Sequence, residues 1–445
     1  MRVLISGAGI AGPTLAWFLS KAGARITLVE KCQSVLRQGQ NIDIKGSAVT
    51  AIRTMGLLDR IREFHTTEKG TQFIDARGRP FAVFPGSTVS LTSEFEILRG
   101  DLAAVLYEAT KDLPNVNYLF GTTVKEVISN ETDAVKVELS NGDVQDDNDW
   151  WNIYHALGSK IITLRPDPHG TIRAMFTRMP CNDIQKKAWQ RASRSGRQMQ
   201  EELLRSEFAD AGWQAQRLLN AMGHTSDFYF QAIQQIKMTR WFANRVVCLG
   251  DAACAPTPLT GMGTSLAITG AYVLAGELSK LDDGENPRRA LEAYETTFRP
   301  FVEKAQEIPS FVPEIAHPES AWKRWLFQVG VSTFSKAVAT PWLANKFERS
   351  TESRDEGFPL PFYPILDINR GPTKQKRSAR KTDGVNSHIW VEEAYYYSIS
   401  YTSVRLYAAA LATVDDLAAG FQVLCTIQLE RTMRAELRHR SIFPS

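Results

Sequence analysis

The chain has little cysteine, and its cysteines show neither disulfide nor metal-site spacing. Five cysteines are scattered over 445 residues, an odd number with no CxxC pair. A disulfide framework or a zinc site needs closer, paired spacing, so we expect reduced thiols and a cytoplasmic location. The seven histidines also lack ligand spacing. We therefore predict that the protein has no metal site.

Long apolar runs and a strong net charge are also absent. The best apolar stretch, near the C-terminus, is interrupted by Asp415 and Asp416, so no integral membrane segment is expected. A formal charge of +3 is almost neutral for this length and gives no overall attraction to nucleic acid. The composition is that of a globular chain with room for roughly two or three domains. A small-molecule substrate is the expected partner, and the oligomeric state stays open.

What the chain does have is a glycine-rich turn between two predicted strands at its start. A short apolar run precedes Gly7, the helical pattern opens around Gly9 and Gly12, and a second apolar run ends at Glu30. Strand, G-x-G-x-x-G, helix, strand and acid, in this order, form the dinucleotide-binding fingerprint.

Each residue of this fingerprint has a mechanical role. Gly7 permits the tight turn, Gly9 lets a pyrophosphate approach the backbone, and Gly12 lets the helix lie close to the sheet. The helix N-terminus offers N–H groups and a partial positive charge to phosphates. Glu30 can accept hydrogen bonds from an adenosine ribose. Glycines also form ordinary turns, but the acid at the expected distance and the two strands favour a bound dinucleotide.

A second element of this kind lies far along the chain. A buried strand is predicted to end at Gly250 and Asp251, a proline-rich loop follows, and Gly261 and Gly263 open a long apolar helix. An acid at the end of a buried strand, before a Pro/Gly loop, favours a binding role for Asp251.

With Arg99 placed before a helix, these two elements resemble the FAD-dependent aromatic hydroxylases. These are the single-component flavin monooxygenases typified by para-hydroxybenzoate hydroxylase. The segment 38–43 is more similar to the tetracycline-inactivating and fungal secondary-metabolite branches. The resemblance covers about 1–145 and 148–364. It implies an α/β fold with a Rossmann-like FAD-binding domain, a β-sheet substrate domain and C-terminal helices.

The resemblance also implies how the chain is divided. A hairpin predicted at 73–83 would begin the substrate layer. The expected parts are a discontinuous FAD-binding domain (1–70, 96–146 and 240–305), a shortened substrate domain (71–95 and 147–239), a C-terminal helical region (306–364) and a tail outside the family (365–445).

Carried over by position, the resemblance implies a set of cofactor-binding residues. They are Gly7, Gly9, Ala11, Gly12, Glu30, Lys31, Arg37, Asp43, Arg99, Asp251, Gly261, Gly263 and Thr264. Glu30 would hold the adenosine ribose, Arg99 would face the pyrophosphate or ribityl chain, and Asp251 would bond the ribityl hydroxyls. Asp43 would lie near the flavin, and Arg37 is a candidate for contact with NADPH. The helix that opens at 261–264 would direct its N–H groups at the flavin and favour its anionic reduced form.

The implied reaction uses NADPH or NADH and O2 to hydroxylate or epoxidise a small aromatic or polyketide-like molecule, in secondary metabolism. An FAD oxidoreductase without oxygen insertion is one alternative, and an inactive product or binding protein is another. The cofactor carries the chemistry, so no catalytic residue is named. His155 and His169 are candidates for proton transfer, but we expect them in loops or at the surface.

The chain departs from the family after residues 141–142. The family carries an Asp-Gly motif on a strand there, and several tens of residues, including that strand and the start of the substrate sheet, are missing by comparison. Residues 383–387 spell a similar string but follow a polar 381–382, so we interpret them as a coincidence. The basic run 374–381 is interpreted as a solvated linker and 404–424 as a helix. We therefore expect a central strand to be lost.

Overall fold

The structure is a computed structural model, and only part of the chain is described. The described residues are 1–36, 39–65, 68–85, 95–122, 150–167, 172–225, 227–233, 235–282, 285–309, 315–340 and 358–367, with the backbone alone of 388–393 and 422–428. The helices there are α1 (Ala11–Lys21), α2 (Ser47–Thr54), α3 (Leu58–Arg62), α4 (Arg99–Glu108), α5 (Asp183–Ser193), α6 (Arg197–Phe208), α7 (Ala215–Met222), α8 (Asp251–Cys254), α9 (Gly263–Leu278), α10 (Arg288–Ala305) and α11 (Ala321–Val338). None of these described helices is long and apolar enough to cross a membrane.

The strands fall into two large sheets and one small ribbon. They are β1 (Arg2–Ser6), β2 (Arg25–Glu30), β3 (Asn41–Asp43), β4 (Gly70–Ile74), β5 (Pro80–Pro85), β6 (Glu96–Leu98), β7 (Val116–Phe120), β8 (Trp151–Ala156), β9 (Lys160–Pro166), β10 (Ile172–Arg178), β11 (Asp227–Ile233), β12 (Phe242–Ala243), β13 (Val246–Leu249), β14 (His388–Glu393) and β15 (Gln422–Gln428). Antiparallel β3 and β6 form the ribbon.

The first sheet has the strand order β12-β13-β14-β1-β2-β7, and all its strands except β12 run parallel. Its central strands are apolar along most of their length, as in parallel sheets that are covered on both faces. Ile5, Leu28 and Leu249 are fully buried in this core, where α1 and α9 pack together. The predicted strand–turn–helix–strand unit at the start of the chain is therefore confirmed.

The second sheet has the order β11-β15-β10-β9-β8-β4-β5 and is antiparallel except between β4 and β8. Helices α5, α6 and α7 cover one face, where Phe176, Trp189 and Phe208 are buried. Helix α11 packs at β5, on a separate apolar cluster around Phe73. The predicted hairpin is confirmed as β4–β5, with the Gly78 N–H donating to the Asp75 carbonyl at its turn.

The tail of the chain contributes a strand to each large sheet, which corrects one expectation. Strand β14 lies between β1 and β13, and β15 lies between β10 and β11. The prediction that a central strand is lost is wrong, because β14, from far along the chain, occupies a central position in the first sheet. The residues 383–387 themselves lie outside the described residues, but the strand begins directly after them.

The prediction of a helix over 404–424 is wrong at its end. Residues 422–424 belong to β15, and the rest of that segment lies outside the described residues, as does the basic run 374–381. Short apolar runs with β-branched residues are ambiguous between helix and strand. Here the segment pairs with β10 and β11, and it is therefore a strand.

Candidate functional site

The first turn, residues 7–12, links β1 to α1. Gly7 has φ 114°, a conformation that is strained for residues with a side chain, and its N–H donates to the Val29 carbonyl at 2.8 Å. Helix α1 starts at Ala11, and the preceding Ile10 provides no side-chain cap. The N-cap residue of α1 therefore contributes no side-chain acceptor of its own at this helix start.

Glu30 closes this turn from the end of β2. Its carboxylate is buried, and its two oxygens accept the backbone N–H groups of Ala8 at 2.8 Å and of Cys32 at 2.9 Å. Burial and the neighbouring Glu30 charge raise the pKa of the Cys32 thiol to about 11. Each carboxylate oxygen keeps a further lone pair, so Glu30 can also accept hydrogen bonds from a ligand. Lys31, the next residue, is exposed.

The second turn, residues 250–264, lies against the first. Strand β13 ends at Leu249, the next residue Gly250 has φ 61°, and a Cβ built on Gly250 would stand 3.3 Å from the Cβ of Ala11. Strands β13 and β1 are parallel and separated by β14 alone, so both turns leave the same edge of the sheet. In open α/β sheets, ligands bind at this edge, beyond the carboxyl ends of the strands.

Arg99 and Asp251 act on each other at this edge. Burial raises the pKa of the Asp251 carboxyl to about 6, and the positive charge of Arg99 opposes that rise. Arg99 is the first residue of α4, and its N–H donates to the Gln40 carbonyl at 3.0 Å. Gly39 leaves room for it, since a Cβ there would come within 2.8 Å of the Arg99 Cβ. A cation and a carboxylate from segments far apart in the sequence therefore lie close enough to interact electrostatically.

The ribbon joins the start of α9. Lys45 pairs with Asp43 at 3.4 Å, and the Lys45 N–H donates to the buried Ser265 Oγ at 3.0 Å. Ser265 lies in the first turn of α9, whose N-cap residue Met262 provides no side-chain cap. Gly263 and Thr264 precede Ser265 in that turn, and Gly261 just before it has φ 62°. Sequence reasoning missed Lys45 and Ser265, for which spacing gave no signal.

The proline-rich loop between α8 and α9 is fixed by two glutamines that sequence reasoning also missed. Gln306 Nε2 donates to the Ala255 carbonyl at 3.1 Å, and Gln235 Nε2 donates to the Pro256 carbonyl at 3.1 Å. Buried Thr257 has φ 84°, unusual for a residue other than glycine. Such backbone strain persists only where the surroundings hold the chain, and it concentrates at functional sites.

A largely buried arginine, Arg165, joins the second sheet to the ribbon. Arg165 of β9 donates two hydrogen bonds to Glu68, at 2.9 and 2.7 Å, and a further one to Glu96 of β6. Its guanidinium also lies 4.2 Å from the centre of the Trp151 ring. Burial lowers the pKa of Arg165, but the hydrogen bonds and charges of the two carboxylates outweigh it and raise the pKa overall.

Of the two candidate histidines, only His155 lies in the described part of the chain. His155 lies in β8 and is buried, with Nε2 3.0 Å from the Ala316 carbonyl and the ring 4.5 Å from that of Phe327. Burial, then the charge of His317, lowers the pKa of His155 to about 3. The prediction of a loop or surface position for His155 is wrong, because its ring fills an aromatic cluster. His169 and Arg37 lie outside the described residues.

The donors and acceptors at this edge suit a dinucleotide cofactor such as FAD. The starts of α1 and α9, the Arg99 cation and two buried or half-buried carboxylates are groups of the kind that bind its phosphates and its hydroxyls. Asn41 Nδ2 of the ribbon is also buried without a hydrogen-bond partner in the described part of the chain, which leaves a donor for a ligand.

Comparison with known proteins identifies an FAD-binding domain, in agreement with the groups found at this edge of the sheet. The family described as FAD binding domain matches residues 1–149 and 153–308, more than half of the chain. The monooxygenase CTB7 of Cercospora beticola is 33% identical over 395 residues, which cover 76% of this chain and 92% of that protein. The FAD-dependent monooxygenase asL6 of Sarocladium schorii is 31% identical over 432 residues, which cover 83% and 99%.

A solved structure shows the same likeness. The tetracycline destructase Tet(51) superimposes with a TM-score of 0.58 at 25% identity, over 81% of this chain and 98% of its own. The family match and the two fungal relatives point to the same family. The chain belongs to the FAD-dependent aromatic hydroxylases, and it is a flavin-dependent monooxygenase by family.

Proposed function

We propose that the protein uses NADPH or NADH and O2 to hydroxylate or epoxidise a small aromatic or polyketide-like molecule, in the cytoplasm and as part of secondary metabolism. The observation that carries the proposal is the contact between Gly250 and Ala11, with Arg99 and Asp251 beside it. Two turns from distant parts of the chain would thereby face one elongated ligand. The named activities of the fungal relatives support the reaction class.

The first turn would hold the adenylate half of FAD. The backbone of Gly7, Gly9 and Gly12 would approach the pyrophosphate, at the positive end of α1 that begins at Ala11. Glu30 would accept hydrogen bonds from the ribose, with Lys31 adjacent. Because Glu30 is already fixed by two backbone N–H groups, it needs no rearrangement to do so.

The second turn would hold the flavin half. Asp251 would accept hydrogen bonds from the ribityl hydroxyls, and Arg99 would offset negative charge on the pyrophosphate or ribityl chain. The N–H groups at the start of α9, from Gly261 through Gly263 to Thr264, would face the ring edge and stabilise negative charge there. Bound FAD would supply the electron transfer and oxygen activation that no side chain here supplies.

The remaining groups would position the cofactor and the substrate. Lys45 ties Asp43 of the ribbon to the start of α9, and Arg165 ties the ribbon to the second sheet. We propose that the substrate lies between the ribbon and that sheet. Fixed contacts at this boundary would keep water out while oxygen is transferred. The contact of Arg37 with NADPH stays a prediction.

The purified full-length protein tests this function in two steps. A flavin spectrum that persists through gel filtration, followed by consumption of NADPH or NADH in the presence of candidate phenols, is the expected result. Incorporation of one labelled oxygen atom from ¹⁸O₂ into the product would then identify a monooxygenase. An oxidised product without label would identify an oxidoreductase. Colourless protein that FAD cannot reconstitute would identify an inactive or binding protein.

A further inference from the structure

Helix α11 presents an apolar stripe to solvent. Trp322, Trp325, Leu326 and Val329 are 64%, 63%, 55% and 43% exposed. At 100° per residue, these four positions fall within about 100° of one another around the helix axis. Two tryptophans on one exposed helix face are unusual, because large aromatic side chains are normally covered. These four residues are the outer stripe.

The opposite face of α11 is fixed to the protein, so the outer stripe cannot turn inward. Phe327 and Val331 pack on the cluster formed by Phe73 and Phe84 of the second sheet, and Val338 is buried in it. The stripe is therefore the outward side of a docked helix.

The charges of α11 are all of one sign. Lys323, Arg324 and Lys336 are its only ionisable residues, and no Asp or Glu occurs in Ala321–Val338. Lys323 and Lys336 are exposed. At 100° per residue, Lys323 lies about 60° beyond the outer stripe, and Lys336 lies in line with it, about two turns after Val329. A helix with Trp and Leu on one side and exposed lysines near that side is typical of helices that lie in a membrane interface.

The same charges argue against a second copy of the chain. A two-fold symmetric contact through the outer stripe would place the lysines of one α11 beside those of the other, with no acid of α11 to pair them. An anionic lipid surface instead offers negative charge to the lysines and an apolar layer to the tryptophans. One partner, the lipid surface, would then account for both the outer stripe and the lysines of α11.

We propose that α11 attaches the protein to the surface of an anionic lipid bilayer. Trp322, Trp325, Leu326 and Val329 enter the boundary between headgroups and acyl chains, while Lys323 and Lys336 contact lipid phosphates. The helix lies in the plane of the surface and does not span the bilayer. This attachment needs neither FAD nor the proposed reaction, so the two are tested separately.

The test is co-sedimentation of the full-length protein with vesicles. Binding is expected to phosphatidylcholine vesicles containing about 30% phosphatidylserine, and to weaken several-fold in pure phosphatidylcholine or in high salt. Replacing both tryptophans (Trp322→Ser with Trp325→Ser) should weaken binding about 100-fold, because each buried aromatic ring is worth about a factor of ten. Lys323→Glu with Lys336→Glu should weaken binding only to the phosphatidylserine vesicles.

Ile184→Ser is the matched control, because Ile184 is an apolar residue 82% exposed on α5, away from α11, and its loss should leave binding unchanged. Thermal unfolding of each variant checks that the fold is kept. Wild-type protein that does not bind these vesicles, or tryptophan variants that bind as well as wild type, would overturn the proposal. So would a wild-type dimer that the tryptophan variant abolishes, or hydrogen-exchange protection of the stripe in vesicle-free monomer. These last two results would identify a second copy or another segment of the chain as the cover.

Discussion

The two turns that meet at the sheet edge are built in different ways. The first is contiguous in sequence, and Glu30 at its end is satisfied by two nearby backbone N–H groups. The second depends on distant residues: Arg99 faces Asp251, Lys45 reaches the start of α9, and Gln306 fixes the proline-rich loop. The order of the first turn therefore depends on contacts within the strand–helix–strand unit that contains it. The second holds strain and a poorly solvated carboxylate that a bound ligand would relieve.

The two turns nevertheless share one support, because β14 lies between the strands that precede them. Val391 of β14 is paired with Ile5 of β1 on one side and with Val247 of β13 on the other. The separation of the turns is thus set by a strand from the far end of the chain. Changes in β14 should disturb both turns, whereas changes in either turn should leave the other largely intact.

The largest effect is therefore expected from Val391→Pro. Proline removes a backbone donor and is not tolerated in a central strand, so we expect a loss of about 3 kcal/mol or more of unfolding free energy and no retained FAD. Urea unfolding and the flavin content of purified protein measure this. Val391→Ile keeps the N–H and an apolar β-branched side chain and should retain both properties. Equal flavin content in the proline variant would show that β14 is not the shared support.

The same strand shows where sequence reasoning ends. The first turn and the β4–β5 hairpin were predictable, because each is formed by residues close together in the chain and marked by glycine. The place of β14 in the sheet was not predictable, because strands can pair at any separation in the sequence. The six residues of this strand do not indicate which strands flank it. The prediction failed in assuming that a strand must occur where relatives have it in sequence.

The second turn was predictable in part. Asp251 and the start of α9 follow from a buried strand, a Pro/Gly loop and an apolar run. The contact of Lys45 with Ser265 depends on how the ribbon packs on α9, which local patterning does not encode. His155 was misplaced for a related reason. A polar residue in an aromatic stretch resembles a surface residue until tertiary packing buries it, and burial then lowers its pKa to about 3.

Gly250→Ala tests the point where the two turns touch. A side chain at φ 61° is strained, and the added Cβ would stand 3.3 Å from that of Ala11, so we expect a loss of about 2 kcal/mol and weaker FAD binding. Urea unfolding and FAD titration measure these. Gly330→Ala is the control: it lies in an exposed part of α11 with nothing within 4 Å and should stabilise by up to about 1 kcal/mol. A neutral Gly250→Ala would mean that the turns do not constrain each other.

Asp251→Asn tests the buried charge of the second turn. The pKa of Asp251 is raised from 3.8 to about 6, so the folded state favours the protonated carboxyl. Stability of the FAD-free protein should fall as pH rises through this interval, by on the order of 2 kcal/mol. The variant lacks this component, so above pH 6 it should be more stable than wild type while binding FAD more weakly.

Urea midpoints of FAD-free protein on both sides of this interval measure the effect. Asp59→Asn makes the same chemical change on an exposed side chain of α3 and is the control. Parallel curves for wild type and Asp251→Asn would contradict the assignment of the charge to this turn.

The smallest effect is expected from Ser265→Ala, and it separates the turns most sharply. The change removes the acceptor of the Lys45 N–H at 3.0 Å, worth about 1 kcal/mol, and releases the start of α9 from the ribbon. FAD should dissociate faster, while hydrogen exchange at the Gly7 N–H, which donates within the first turn, stays slow. Ser279→Ala, which removes only a local bond to the Gly276 carbonyl at the end of α9, should change neither. Faster exchange at Gly7 in the Ser265 variant would show that the first turn is not self-sufficient, because its order would then depend on the contacts that fix the second.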